Sequence, residues 1–520
     1  MSKKLLKSTA MVGGLTLISR ILGFTRDVVI AHIFGASVST DAFLVAFKIP
    51  NFMRRLFAEG AFSQAFTPIL SEYQTQRGKT EVKHLVDHVA GNLGGILFWI
   101  TVIGVVIAPI LVMIFAPGFI QYPEKFDLAV EMLRITFPYL LFIALTAFAG
   151  AVLNTYGQFA IPAITPVFLN LCLISSALWL TAYFEKPIIA LAYGVLIAGI
   201  VQLTFQLPFL YRLKLLPRPR FNRHDEGVKR IHHLMIPALF GVSVSQINLL
   251  MDTLMASFLV TGSVSWLYYS DRLMEFPVGV FGLALATVML PNLSRAIARD
   301  DINSYNNTLD WALRWVFLIA TPAMFGLMIL SGPILATLFY GGEFTDSDII
   351  KTNYSLMAYA TGLLGFILIK VLASGFYSRQ DTRTPVKIGV ISMVTNIVLN
   401  LILIWHLAHI GLALATSAAA LLNASLLYRG LRKQNLFQPQ VGWKLLLLRI
   451  FLANISMAVL LWWGSDYLSV WFTMTVLERV YNLFGLIIIG MLTYVSCLFI
   501  FGLRIRHISL NTDDSKLDNI

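Results

Sequence analysis

The chain has 520 residues, 57% apolar and 13% charged, with a formal net charge of +12 and a mean hydropathy of +0.75. That composition excludes an ordinary soluble domain, and its long apolar runs exclude a transmembrane β-barrel, which needs alternating segments of ~10 residues. What remains is an all-α polytopic membrane protein, in which the positive charge reports topology and not a nucleic-acid partner, each span taking roughly 20 apolar residues to cross a ~30 Å hydrocarbon core.

In chain order, the opening "MSKKLLKSTAMVGGLTLISR" joins basic residues to an apolar run without a small-residue cleavage site before Arg20. It is expected to be an uncleaved first helix and not a signal peptide. Fourteen transmembrane helices are predicted: 8–34, 41–73, 88–116, 128–154, 160–183, 187–212, 230–260, 264–297, 307–338, 352–377, 384–405, 410–433, 443–464 and 476–503. Lysine and arginine in the connections test this count, because they concentrate on the cytoplasmic side. With the N-terminus inside, the inner connections hold Lys3, Lys4 and Lys7, then Arg77, Lys79 and Lys83, then the run from Arg212 to Arg230, with further basic residues after helices 8, 10, 12 and 14. The outer connections hold only Lys125, Lys186 and Lys351, which places both termini in the cytoplasm. Cys172 and Cys497 lie inside apolar runs, where they read as small hydrophobes.

The sequence also repeats. "TPILSEY" at the end of helix 2 and "LPNLSRA" at the end of helix 8 share P-x-L-S, with Pro68 and Pro291 223 residues apart. The connections "NTYGQFAIPAI" and "GFYSRQDTRTPVKI" carry Pro162 and Pro385, again 223 apart. Matches this short also arise by chance, but two at one offset suggest parallel six-helix lobes. The expected domains are 1–222, 223–436 and an appended pair of helices with a tail at 437–520, joined by the basic linker 212–230, which also suits contact with anionic lipid.

Charges at membrane depth are the informative residues, since an arginine mid-span costs about 2.5 to 3.5 kcal/mol on insertion scales. On helix 1, Arg20 lies ~14 Å inside the start at 1.5 Å per residue, and Arg26 lies deeper. On helix 2, Asp41, Lys48, Arg55 and Glu59 are spaced by 7, 7 and 4 residues, one helical stripe, with Arg54 to its side and Pro50 as an expected kink. Helix 8 holds Asp271, Arg272 and Glu275, with Pro277 just beyond, and Lys370 lies inside helix 10. One reading pairs these charges within the bilayer, for example Arg20 with Asp27 or Arg55 with Glu59. The other makes them the wall of a cationic cavity between two lobes, whose forked guanidiniums suit phosphate oxygens. Asp252 with Asn396 and Asn400 offers oxygen ligands for a small cation, though interhelical amide hydrogen bonds serve equally. No Walker A, G-x-S-x-G or H-E-x-x-H motif is present, so the chain reads as a transporter and not an enzyme, without cofactor. Its coupling would come from membrane potential or a Na⁺ or H⁺ gradient.

The stretches "SRILGFTRDVVIAHIFGASVSTDAFLVAFKIPNFMRRLFAEGAFSQAFTPILSEY", "GSVSWLYYSDRLMEFPVGVFG" and "GFYSRQDTRTPVKI" resemble the MurJ (MviN) lipid II flippases of the multidrug/oligosaccharidyl-lipid/polysaccharide exporter superfamily. The resemblance covers essentially the whole chain. It implies a V-shaped two-lobe fold in a bacterial inner membrane, translocation of lipid II for cell-wall synthesis, and an undecaprenyl tail carried by helices 13 and 14. Lipid II and membrane lipids are the implied partners, with the cell-wall synthesis machinery as a further one. It maps required arginines onto Arg20, Arg26, Arg54 and Arg272, and matches Asp41, Glu59, Asp271 and Glu275 to other charged positions; the sodium site of some members is matched in part by Asp252, Asn396 and Asn400. A flippase for another polyprenyl-linked glycan fits the charge pattern equally. A drug or cation antiporter would want acidic walls, and a non-transporting scaffold would tolerate loss of the arginines.

Overall fold

Backbone that must satisfy its own hydrogen bonds in hydrocarbon becomes helical. The computed structural model describes residues 3–222 and 224–504, excepting the side chains of 3–10, 57–59, 61, 237–238, 240–249 and 283, and all its long elements are helices. Among the described residues ten are long and apolar enough to cross a membrane: Gly78–Val106, Pro123–Thr155, Ala160–Tyr183, Ile189–Arg212, Ser263–Ala298, Ile302–Ile329, Asp346–Tyr377, Arg383–Lys433, Trp443–Gly464 and Val476–Ile500. Lys3–Phe34, 38–76 and Glu226–Ala256 are also long helical stretches, and they carry many of the intramembrane charges. Arg383–Lys433 is broken at Ala408, with φ 48° and ψ −130°, between the two helices expected at 384–405 and 410–433.

The chain forms two compact units, Met1–Ser265 with Gly342–Phe344, and Trp266–Gly341 with Thr345–Ile520. The division falls after Ser265, whereas the sequence reading put a boundary at 222/223. Helix Glu226–Ala256 packs on residues 55–76 and so belongs to the first unit. There the linker is strapped to helix Gly78–Val106: the Arg218 N–H donates to Asp87 Oδ1 at 2.7 Å, the Arg220 N–H to the Asp87 carbonyl at 3.1 Å, and Asn92 to the Asn222 carbonyl at 3.0 Å. The Arg220 backbone lies so close to Gly91 that an added Cβ would stand 2.3 Å from its carbonyl oxygen, which requires glycine at 91. Bidentate pairs of Glu72 with Arg230 and Arg77 with Glu226 fasten the start of helix Glu226–Ala256 to the chain around 72–77.

Helix 2, expected as one α-helix over 41–73, is instead α over Val38–Arg54, π over Arg55–Phe62 and α over Ser63–Gln76. The described members of the 7, 7, 4 stripe, all at or before the start of the π segment, do not share one environment: Asp41 is buried, Lys48 half-buried and Arg55 exposed. Pro50 does not end the helix. Its missing N–H leaves the Ala46 carbonyl without its intrahelical donor, and the buried Thr136 hydroxyl donates to that oxygen at 3.1 Å. Helix 8 repeats the pattern as Ser263–Pro277, π over Val278–Gly282 and α over Leu283–Ala298. The π segments begin 223 residues apart, the same separation as the paired prolines.

In the second unit, helices Trp443–Gly464 and Val476–Ile500 pack on each other and against Ile302–Ile329 through Leu318, Ile450, Met457 and Leu498. The buried Arg479 fixes the start of Val476–Ile500 by donating to the carbonyls of Ala336 at 2.9 Å and Tyr340 at 3.3 Å.

Candidate functional site

The deepest-buried arginine of the sequence reading is Arg26, 4% exposed on helix Lys3–Phe34. A guanidinium keeps its charge, so burial has to be met with acceptors. Its Nε and Nη2 both donate to Asp27 Oδ1, at 3.0 and 2.6 Å, and its Nη1 donates to Asn170 Oδ1 at 3.1 Å. Asp27 is thus the carboxylate of Arg26, one residue away, and not of Arg20 as the first pairing considered from sequence had it. Arg20, one and a half turns earlier, is exposed and has no side-chain hydrogen bond or ion pair among the described residues.

Asn170, on helix Ala160–Ser175, also donates from Nδ2 to the Ser19 carbonyl at 3.0 Å. It carries no charge, so a pattern of charges does not mark it. A lone asparagine in "VFLNLCLI" was the available signal.

Asp41 is fully buried and collects four donors: Lys125 Nζ at 2.7 Å and the Gly262 N–H at 2.8 Å on Oδ2, and the Ser265 N–H at 3.0 Å and hydroxyl at 2.6 Å on Oδ1. It ties helix Val38–Arg54 to helix Pro123–Thr136 and to the turn before residue 265. Lys125, read from sequence as one of the few outer-loop cations, is itself buried, its ammonium 4.4 Å from the Phe119 ring centre. Asp41 and Lys125 therefore form a built-in brace whose groups have partners already. Lys48 donates to the Thr253 hydroxyl. Arg54 is half-buried and its Nε donates to Asn51 Oδ1 at 3.2 Å. The side chain of Glu59 lies outside the described residues.

In the second unit Arg272 reaches Glu275 at 3.1 Å and stands over the Tyr268 ring at 5.4 Å, while its neighbour Asp271 is half-buried. Lys370 is exposed on helix Leu363–Tyr377. Of the three residues considered for a cation, Asn396 and Asn400 are fully buried and bound to one another at 3.2 Å, with Asn396 also donating to Thr416 at 3.1 Å. Asp252 is half-buried on helix Glu226–Ala256 of the first unit.

Taken singly, each unit thus offers guanidinium groups within membrane-length helices, with acceptors beside them that an anion would have to replace or join.

Comparison with known proteins gives the same direction. The family model described as "Lipid II flippase MurJ" matches residues 30–482. A protein of Vibrio cholerae serotype O1, named a probable lipid II flippase MurJ, is 48% identical over 519 residues, covering 98% of this chain and 99% of that one. A solved structure of lipid II flippase MurJ in an inward closed conformation superposes with a TM-score of 0.80 at 29% identity, over 95% of this chain and 98% of the other. An inward-facing multidrug transporter of the MATE family and MOP superfamily superposes with a TM-score of 0.67 at 14% identity, over 82% of this chain and 98% of that one, a likeness of fold alone.

Proposed function

Because the chain belongs to the MurJ lipid II flippase family, we propose that it carries lipid II from the inner to the outer leaflet of a bacterial inner membrane by alternating access, supplying cell-wall synthesis. The observation that carries the site reading is Arg26, a permanent charge buried on a membrane-length helix, whose fork donates to the Asp27 carboxylate and the Asn170 amide. A diphosphate oxygen is a stronger acceptor for that fork than an amide and competes with the carboxylate on equal terms. The headgroup would be engaged by Arg20, Arg26 and Arg54 on the first unit and by Arg272 on the second. Asp41 with Lys125 braces the scaffold, while Arg55, Glu59, Asp271, Glu275 and Lys370 tune the field.

The topology proposed is fourteen spans in two six-helix lobes with two appended helices and both termini cytoplasmic. It is supported by the ten apolar helices, the three charged ones, the break at Ala408 and the π segments at the repeat offset. The appended pair would carry the polyprenyl tail. The chain works as a transporter and not as an enzyme, driven by membrane potential or by a Na⁺ or H⁺ gradient, among membrane lipids and beside the cell-wall synthesis machinery. A cation held by Asp252, Asn396 and Asn400 would first have to part the two amides, which bind each other.

The test is depletion of the protein in cells lacking a second flippase, with lipid II exposure on the outer surface as the readout. Exposure should collapse and return with the wild-type chain but not with Arg20→Ala, Arg26→Ala, Arg54→Ala or Arg272→Ala at equal expression. Exposure that persists after depletion overturns the function; full rescue by all four variants overturns the site.

A further inference from the structure

Arg449 lies six residues, ~9 Å at 1.5 Å per residue, inside helix Trp443–Gly464 of the second unit. It is half-buried and has no hydrogen bond or ion pair among the described residues, and its Nε is sealed from solvent without an acceptor. A permanent charge at that depth calls for an anionic or carbonyl partner. The acceptors at this end of the unit are engaged elsewhere. The fully buried Asp310 takes Arg314 Nε at 2.6 Å on Oδ2, and Trp443 Nε1 at 2.7 Å and the Gln440 N–H at 3.0 Å on Oδ1. Helix Val476–Ile500, which packs along Trp443–Gly464, closes on its own backbone: the N–H groups of Phe501, Gly502 and Leu503 donate to the carbonyls of Cys497, Phe499 and Leu498. The guanidinium stands over that end, 3.2 Å from where a Cβ on Gly502 would be, yet bonds to none of its carbonyls.

We infer that Arg449 is the phosphate ligand of an anionic phospholipid site at the junction of the two appended helices, in the leaflet on the side of Gly502, the inner one in the topology proposed above. The headgroup phosphate supplies the acceptor that the protein withholds, and a guanidinium fork matches two of its oxygens. Beside Arg449, the exposed side chains of Leu448, Leu452, Ile455 and Val459, spaced by 4, 3 and 4 residues, form an apolar stripe running into the bilayer for an acyl chain to follow. Charge selects the headgroup. The exposed Lys444 and Arg504 add positive field at this end, and Asp310, saturated by its three donors, offers nothing to the ammonium of a zwitterionic lipid. One guanidinium also matches one phosphodiester better than the two phosphates of a diphosphate lipid.

The experiment titrates the detergent-purified full-length protein with phosphatidylglycerol, phosphatidylethanolamine and lipid II in parallel, and reads the tightest-bound lipid by native mass spectrometry. Phosphatidylglycerol should bind more tightly than phosphatidylethanolamine, and Arg449→Gln should weaken it by about five- to tenfold, the scale of one basic residue facing an anionic lipid. Lys444→Gln, which removes an exposed charge from the same end, should weaken it by less than about twofold. Unchanged phosphatidylglycerol binding by Arg449→Gln overturns the inference, as does a loss no larger than that of Lys444→Gln, which would mean diffuse attraction without a site. Equal binding of the two phospholipids overturns the choice of an anionic headgroup. A loss confined to lipid II overturns the inference as well and gives Arg449 to the diphosphate. Should Arg449→Gln fail to fold, Arg449→Lys keeps the charge without the fork and should weaken phosphatidylglycerol by about two- to threefold; wild-type binding by that variant overturns the inference.

Discussion

Asp41 and Asp27 are both buried carboxylates beside a cation, yet their surroundings give them different work. Asp41 has no exposure and four donors on two oxygens, so Asp41→Asn leaves the Lys125 ammonium buried without its counter-charge. That should cost about 3 to 5 kcal/mol, read as a lower melting temperature in detergent, and Asp41→Asn with Lys125→Met should recover most of it. A single variant as stable as wild type would remove the brace from the account. Asp27 instead occupies the fork that the substrate needs. Asp27→Asn should tighten lipid II binding by roughly tenfold, about 1.4 kcal/mol, with a steeper dependence on salt; weaker binding would mean that Asp27 aids the complex and does not compete with it.

Among the elements, helix 2 survives an internal proline because another helix supplies the missing partner. Thr136→Val leaves the Ala46 carbonyl without its hydroxyl donor and should destabilise the protein by about 1 to 3 kcal/mol, whereas Thr136→Ser should be close to neutral in the same unfolding assay. On the connection before helix Arg383–Lys433, the hydroxyl and backbone N–H of Thr384 donate to Asp381, at 2.6 and 3.0 Å. Those bonds, the hydroxyl first, hold the Asp381 carboxyl below its ordinary 3.8. A lowered folded value means that the stabilisation is present above the unfolded pKa and is lost as pH falls through the folded one. Thr384→Ala should therefore be less stable than wild type near neutral pH, with the difference shrinking as pH falls through the Asp381 titration; a difference that does not change with pH would contradict the assignment. Helix positions themselves were legible because the apolar runs dictate them, and 443–464 is read from sequence with the same limits as Trp443–Gly464. The π segments after Arg54 and Pro277 were not legible, since a π turn depends on how neighbouring helices take up one extra residue and leaves no mark on hydropathy.

At the scale of the whole molecule, the arginines announced themselves as charges where charge is expensive, and the 223-residue repeat seen in two proline pairs returns in the π segments. What sequence could not give was pairing. Lys125 looked like a loop cation and is a buried partner of Asp41; Asn170 carries no charge and holds Arg26; helix Glu226–Ala256 comes after the linker yet packs with the first unit. Each of these is decided by contacts between residues distant in the chain. The central claim is that this chain moves lipid II across a bilayer using Arg26. Its most direct test is reconstitution into vesicles, with lipid II delivered to one leaflet and its arrival in the other followed by a membrane-impermeant reagent. The account predicts arrival well above that in protein-free vesicles, and slowed at least about tenfold by Arg26→Ala, the loss of one charge-assisted contact. Wild-type vesicles no faster than protein-free ones, under an imposed membrane potential and Na⁺ and H⁺ gradients, would contradict it.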